Sequence, residues 1–582
     1  MSRIGVFICH CGINIAGTVD VVRVAEELRQ CPHVAFATDY KYMCSDPGQQ
    51  LIRQAIAGHD LDGIVVAACS PGMHEKTFRG AAAAAGLNPY RCEIANIREQ
   101  CSWVHQRDPE QASGKAAEIV RTMVEKVRRD EALTPSRLPL TRRALVIGGG
   151  VAGLEAALGI ANSGYPVVLV ERGEALGGKM ARLSGTFLNF EAAPDLLQQR
   201  VEAVLHHPNI QVLLHSQVSK IEGYVGNFTV EVSGLSISDP SPNLKPETLR
   251  PETYEVGAIV VATGWDPYPL ERLPEYGSGG VPDVVDGLTF EEMLRPGGEL
   301  RRPSDGRVPR EVVFVQCAGS RDPEHGVSYC SKVCCMTVAK QATMFKQRVP
   351  DGQAYVFYID IRSGGKGYDE FVQRAMEDYD VLYLRGKVSK IFRRGERVVV
   401  WGADTLVGRP VEVEADLVVL ATPMLPSRQA VTVAQTLHIQ VDAYGFYSEA
   451  HPKLRPVESL TAGVFLAGVG QGPKDIPEAV AQAGGATAKV LQLFAQEEMV
   501  QEPTVAYVVE ELCSACGACV AACPYGAREV HPLRRVATVN AALCQTCGAC
   551  VVACPNKASR VHNWEPGQVL AMADVLAERR FA

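Results

Sequence analysis

Ala144-Leu-Val-Ile-Gly148-Gly-Gly150-Val-Ala-Gly153-Leu-Glu-Ala-Ala reads as a buried strand, a glycine turn and a helix in immediate succession. Gly148 and Gly150 permit the tight turn and the close approach of a pyrophosphate, and Gly153 lets the helix pack on the strand. The next strand, residues 166–170, ends in Glu171, about 20 residues on, where an acid meets ribose hydroxyls. Leu176-Gly-Gly178-Lys179 follows, a second glycine pair suited to the flavin side. Val260-Val-Ala-Thr263-Gly264 is the short strand and turn that closes such a domain. Late in the chain Gly463-Val-Phe-Leu-Ala-Gly468 runs a strand into another glycine turn, and a helix over 479–493 points its N-terminus at the isoalloxazine. Two glycine-rich ends that enclose an inserted domain favour FAD over NAD. The bland alternative is a dinucleotide-type domain that binds nothing.

Between those ends lies a departure. Val312-Val-Phe-Val-Gln316 is the first strand of a second dinucleotide-type domain over about 305–420, yet its turn reads Cys317-Ala-Gly319-Ser-Arg321. The next helix is expected to open with Cys330-Ser-Lys-Val-Cys334-Cys335, so that Cys330 and Cys334 share a face. Four cysteines then stand where nicotinamide phosphates would sit, and a helix N-terminus suits an anionic, thiolate-ligated centre. A third [4Fe–4S] cluster on Cys317, Cys330, Cys334 and Cys335 is the favoured reading. A vicinal disulfide at Cys334–Cys335 and ordinary buried thiols are the others.

The C-terminal end repeats itself. Cys513-x2-Cys516-x2-Cys519-x3-Cys523-Pro524 returns as Cys544-x2-Cys547-x2-Cys550-x3-Cys554-Pro555. This is bacterial ferredoxin spacing, in which the fourth cysteine of each run ligates the other cluster. The expected sets are Cys513, Cys516, Cys519 and Cys554 for one [4Fe–4S] cluster, and Cys544, Cys547, Cys550 and Cys523 for the second. A zinc ribbon needs four ligands and has no use for two complete quartets. A disulfide framework belongs to short secreted chains.

At the other end, residues 1–135 alternate strand and helix, with strands at 3–8, 34–38, 63–68 and 91–95 and helices at 19–30, 49–58 and 75–86. That alternation implies a parallel sheet. Cys9, Cys11, Cys44 and Cys69 fall at the C-terminal ends of these strands, which converge on one crevice in an open sheet. A metal site there is one reading, with Cys101 as a further approach; small apolar core residues are the other. Cys31 and Cys92 look like core. His10 and His74 are candidate ligands whose ordinary fate is structural.

Composition bounds the rest. At 582 residues the length prior gives roughly four domains. A charge of −8 gives no electrostatic case for nucleic acid. No signal peptide is expected at the first strand, and no apolar run near 18 residues suggests a span. Nineteen thiols fit a reducing cytoplasm and metal. A charged, proline-marked linker at 128–143 separates the first domain from an FAD domain over 140–500, a polar segment interrupts it at 236–251, and the ferredoxin takes 501–582. Lys474 and Asp475 follow the 468–472 turn, Asp475 as N-cap of the next helix. An ammonium there would stabilise negative charge on reduced flavin; a solvated surface lysine is the alternative.

With these pieces assembled the chain resembles the A subunits of heterodisulfide reductases, the flavin subunits of electron-bifurcating complexes in methanogens and related anaerobes. The resemblance rests on Cys9-His-Cys-Gly-Ile-Asn-Ile-Ala-Gly17, Asp39-Tyr-Lys-Tyr-Met-Cys44-Ser-Asp-Pro-Gly48, Tyr329-Cys-Ser-Lys-Val-Cys-Cys335 and Gln471-Gly-Pro-Lys-Asp-Ile-Pro477. It implies a multi-domain α/β protein: a cluster-binding N-terminal domain, a thioredoxin-reductase-like FAD domain and a 2[4Fe–4S] ferredoxin. It implies electron bifurcation between FAD and several clusters, in a hetero-oligomer that is dimeric through this chain. The implied partners are heterodisulfide reductase B/C-like subunits, a hydrogenase, formate dehydrogenase or NADH-oxidising module, and ferredoxin. One departure is plain: the family form carries an extra ferredoxin domain within the FAD domain, whereas 236–251 has no cysteine. A stand-alone NAD(P)H-linked iron–sulfur flavoprotein is the competing reading, which the degraded second glycine motif opposes. A non-catalytic relay that only wires two other enzymes is a third.

Overall fold

Val6 and Phe7, neighbours on the strand Ile4–Cys9, serve different cores, because successive side chains of a strand leave opposite faces. Ile4, Val6 and Ile8 pack with Val24, Leu28, Val120 and Val124, while Phe7 and Cys9 pack with Ile52, Ile56 and Phe78. The computed structural model to which these contacts belong describes residues 2–578 except 235–250, so nearly all of the polar segment lies outside the described residues. It divides into two compact units, Met1–Leu138 with Val500–Ala582, and Pro139–Met499.

In the first unit four parallel strands, Val34–Tyr40, Ile4–Cys9, Gly63–Ala68 and Cys92–Asn96, lie in that spatial order. Cover on both faces explains why the central two read as unbroken apolar runs. The ferredoxin portion is built from two short antiparallel pairs, Ala506–Val508 with Ser559–Val561 and Arg528–Val530 with Ala537–Val539. Its closing helix, Pro566–Glu578, lies along the helix Pro109–Val127. At their contact Lys126 is wholly buried, its Nζ 2.6 Å from Glu93 Oε1, 3.1 Å from Asp130 Oδ1 and 4.6 Å over the Trp564 ring. Gln568 donates to the same Asp130 carboxylate at 2.8 Å. Asp130, near the start of the expected linker, is thereby held in the interior by Lys126 and Gln568.

The second unit holds two five-stranded parallel sheets of the same plan. One runs Val464–Leu466, Ala258–Val261, Ala144–Ile147, Val167–Val170, Ile210–Leu213. The other runs Val284–Asp286, Leu417–Leu420, Glu311–Val315, Gln353–Tyr358, Leu382–Arg385. Each has its own three-stranded antiparallel sheet, and Trp265–Pro267 pairs with Met424–Pro426 where the chain passes between the lobes. The inserted lobe begins upstream of residue 305, since Val284–Asp286 needs Leu417–Leu420 to complete its ladder.

Candidate functional site

The strand Ala144–Ile147 delivers its glycine turn into a cavity of about 1230 Å³. Gly148 sits at φ +108°, where a Cβ would meet Ala262 O at 2.3 Å, and a Cβ on Gly153 would meet Gly148 O at 1.8 Å. Gly153 is thus buried under the turn. Gly148, Gly150, Glu171, Gly178, Lys179, Thr263, Gly264, Gly468, Lys474 and Asp475 all border the cavity. The helix Val151–Asn162 opens at Gly150 with no side-chain cap, leaving its first N–H groups free for an anion. Glu171 accepts from Gly149 N at 2.6 Å and Gly173 N at 2.7 Å, fixing its carboxylate beside the turn. The volume of the cavity and its uncapped helix terminus fit FAD.

At the far end Lys474 Nζ donates to Gly468 O at 3.0 Å, Gln471 Oε1 at 3.0 Å and Gly472 O at 2.8 Å. Burial pushes its pKa down to about 8. Asp475 caps the helix Ile476–Phe494 and forms a capping box with Glu478. Three further groups border this cavity that the motifs did not signal. Glu291 and Lys340 form a buried pair 2.7 Å apart, and Gln341 donates to Glu291 at 2.7 Å. Glu291 stands beside Glu292 and Lys340 beside Gln341 in ordinary amphipathic helices, so nothing in the sequence sets them apart.

Cys334 borders the same cavity, at the N-terminus of the helix Cys334–Arg348. Cys330 does not share that helix: Lys332 stands at φ +67°, which breaks helical continuation, so the expected common face is absent. The loop nonetheless brings the four thiols into mutual electrostatic contact. Burial pushes Cys334 up strongly, Cys335 to about 11, and Cys317 up against the opposing pull of Arg321. Cys317 itself adopts φ +59° and Arg321 φ +57°, and Arg321 pairs with Asp360 at 2.6 Å.

In the N-terminal sheet Cys9, Cys11, Cys44 and Cys69 lie at or just beyond the strand ends, close enough to influence one another electrostatically. Cys9 Sγ accepts from Cys11 N at 3.3 Å and Met43 N at 3.4 Å, and Arg98 Nη1 donates to Cys11 Sγ at 3.4 Å. Burial raises Cys9, which feels Cys11 and Cys44; burial raises Cys69 to about 11 despite Arg98. Cys101 does not join them, because its thiol turns into the core and donates to Ala112 O at 3.1 Å. His10 pairs with Asp39 at 2.7 Å and the His74 ring lies against Phe78, so both have structural partners. Cys92 is core as expected, and Cys31 reaches back to Glu27 O.

In the ferredoxin portion Cys513, Cys516, Cys519 and Cys554 border one small cavity, although Cys554 comes from the other half of the repeat. Ala537 N donates to Cys513 Sγ at 3.3 Å, Ala527 N to Cys523 Sγ at 3.3 Å and Ala506 N to Cys544 Sγ at 3.4 Å. Burial works to raise Cys554, but backbone N–H groups of Ser559, Ala558, Asn556 and Lys557 outweigh it and hold the thiol below its ordinary range. Donors aimed at sulfur fit thiolate ligands of a cluster.

Residues 142–296 match the pyridine nucleotide-disulphide oxidoreductase family and residues 500–559 the 4Fe-4S dicluster domain family. Fold and site together define an oxidoreductase that carries FAD and a pair of [4Fe–4S] clusters in one chain. Its sequence is 41% identical to an iron-sulfur A subunit of the CoB–CoM heterodisulfide reductase of Methanopyrus kandleri, over 91% of either chain. It is 39% identical to the A subunit of the H2:CoB–CoM heterodisulfide,ferredoxin reductase of Methanothermobacter marburgensis, over 90% of each. The chain belongs to the family of heterodisulfide reductase A subunits. The match to the M. kandleri protein runs to 597 positions yet covers 91% of these 582 residues, so that relative has stretches with no counterpart here. Among solved structures, thioredoxin reductase of T. acidophilum superposes with a TM-score of 0.40 at 17% identity, covering 61% of this chain and 98% of that one. No helix among the described residues is long and apolar enough to cross a membrane.

Proposed function

We propose that this chain is the electron-splitting subunit of a cytoplasmic heterodisulfide-reductase-like complex. FAD supplies the exchange between paired and single electrons, and each [4Fe–4S] cluster carries one electron at a time. The residues that would hold FAD are Gly148, Gly150, Gly153, Glu171, Gly178, Lys179, Thr263, Gly264, Gly468 and Asp475. Lys474 would hold a positive charge against the ring. The two ferredoxin clusters would be ligated as the swapped quartets described above. A third cluster would sit on Cys317, Cys330, Cys334 and Cys335, and a fourth on Cys9, Cys11, Cys44 and Cys69. The domains would divide at about 135 and 500, with the inserted lobe running from ahead of Val284 to about 420.

The observation that carries this reading is Cys334. It borders the flavin cavity at the head of the helix where a nicotinamide-binding lobe would hold phosphate. A cysteine set in that place takes single electrons and leaves no glycine turn for NAD(P)H. The relatives' names speak of disulfide and ferredoxin reductases acting with H2 or formate, so the partners would be B/C-like subunits with a hydrogenase or formate dehydrogenase module. The test is anaerobic purification of the native complex followed by turnover with its two-electron donor. Bifurcation requires equal amounts of a low-potential acceptor such as ferredoxin and of a high-potential acceptor such as a disulfide-linked electron sink to be reduced together. Reduction of the second alone would leave simple electron transfer.

A further inference from the structure

Aligning the two halves of the ferredoxin repeat sets Arg528, five residues after Cys523, opposite Ser559, five after Cys554. One half thus has a cation where the other has a small hydroxyl. These two positions meet in the interior: Arg528 Nη2 donates to Ser559 Oγ and, at 3.0 Å, to Cys550 Sγ. Cys550 belongs to the quartet with Cys544, Cys547 and Cys523, whereas Ser559 borders the cavity of the other quartet. Arg528 is 5% exposed, and its Nη1 has no hydrogen-bond partner among the described residues. Among the described residues no carboxylate pairs with Arg528: of the ferredoxin's acids, Glu510 pairs with Arg534, Glu565 with Arg560 and Tyr507, and Glu529 accepts from Thr538.

We propose that Arg528 is a fixed buried charge shared by the two ferredoxin clusters, raising the reduction potential of both. This rests on reading the two cysteine quartets as cluster ligands. A buried cation without a carboxylate is costly unless an anion is beside it. A thiolate-ligated cluster is such an anion, and it gains one further negative charge on one-electron reduction. A positive charge therefore favours the reduced form more than the oxidised form, at a strength set by distance and local dielectric. Hydrogen bonds to cluster sulfur act in the same direction. Placed between two clusters, the cation also offsets the repulsion by which reducing one makes the other harder to reduce.

The experiment compares wild type, Arg528→Met and Arg528→Lys as full chains, with anaerobic iron and sulfide analysis and redox titration followed by electron paramagnetic resonance. Arg528→Met is expected to keep its iron and to lower both ferredoxin midpoints, each by about tenfold in the one-electron equilibrium constant, equivalent to 59 mV. Arg528→Lys keeps the charge and is expected to fall by less than half as much. A fully loaded Arg528→Met whose midpoints match wild type overturns the proposal, and so does a shift confined to one cluster. If Arg528→Met takes up no iron, Ser559→Asp decides. It retains the arginine but sets a carboxylate against it, and unchanged midpoints there overturn the proposal equally. A wild-type chain holding fewer than two ferredoxin-type signals sinks the ligand reading itself, a result distinct from either.

Discussion

Lys474 is placed by a turn that needs it. Its Nζ gathers two carbonyls and one amide oxygen of the 468–472 segment, and burial lowers its pKa from the usual lysine value to about 8. The sign follows directly. Below pH 8 the ammonium is charged and favours added negative charge on a reduced ring; as pH rises through 8 that help is lost. Because the folded value lies below the ordinary one, the unfolded chain binds more protons between about 8 and 10.5, so this group's penalty on folding relaxes as pH climbs through that window. Lys474→Met should keep full FAD content, since the glycine turn at 148–153 is untouched, yet lower the flavin midpoint below pH 8. The inflection of that midpoint near pH 8 should vanish; superimposable titrations would make the lysine a mere strut. Lys474 was legible because it follows a glycine turn at a predictable place. Arg98, Glu291 and Lys340 were not, because a charged residue inside an amphipathic pattern looks like any solvated face until its neighbours bury it.

At the scale of single elements, two helix N-termini carry the site. The helix Cys334–Arg348 presents Cys334 and Cys335, while Cys330 approaches from a loop bent at Lys332. Replacing Cys334 and Cys335 by serine should remove about four of the roughly sixteen irons expected for four clusters, leaving the ferredoxin signals intact. Iron near eight in wild type would eliminate both extra clusters. The helix Ile476–Phe494 depends on its capping box, and Tyr368 donates to Asp475 at 2.6 Å. Asp475→Ala should cost about 1 kcal/mol locally, read as roughly fivefold faster amide exchange in the first turn. Strands with unbroken apolar runs and the swapped cysteine repeat were legible because their spacing is set by covalent geometry. The second dinucleotide-type lobe was legible too, from its first strand at 312–316, but its start was not, because Val284–Asp286 joins the sheet only through the distant strand Leu417–Leu420. The false helical face at Cys330 arose because spacing alone does not reveal a left-handed residue.

Across the whole chain, the same substitutions argue that NADH and NADPH reduce the isolated protein slowly if at all: Arg321 pairs with Asp360 where a phosphate-binding turn would open. Stopped-flow bleaching of the flavin by either nucleotide, without other subunits, would reverse that. The unit formed by the N-terminal sheet and the ferredoxin offers the sharpest test of assembly. Lys126 serves two carboxylates and an aromatic face at once, with its own ammonium and Asp130 wholly removed from water. Lys126→Met keeps the aliphatic bulk under Trp564 but leaves Glu93 and Asp130 facing each other. Losing one partner of a buried ionic group costs about 3 kcal/mol, here expected as roughly 100-fold faster amide exchange along Pro566–Glu578. Burial already raises Asp130 to about 7 against the pull of Lys126, so the folded state binds more protons than the unfolded one between about 4 and 7. Stability from this group therefore falls as pH rises through that window, and removing the lysine widens it. The variant's deficit should be largest at pH 8 and shrink at pH 5, where protonated Asp130 can donate to Glu93. An equal deficit at both values would mean that Lys126 contributes packing alone.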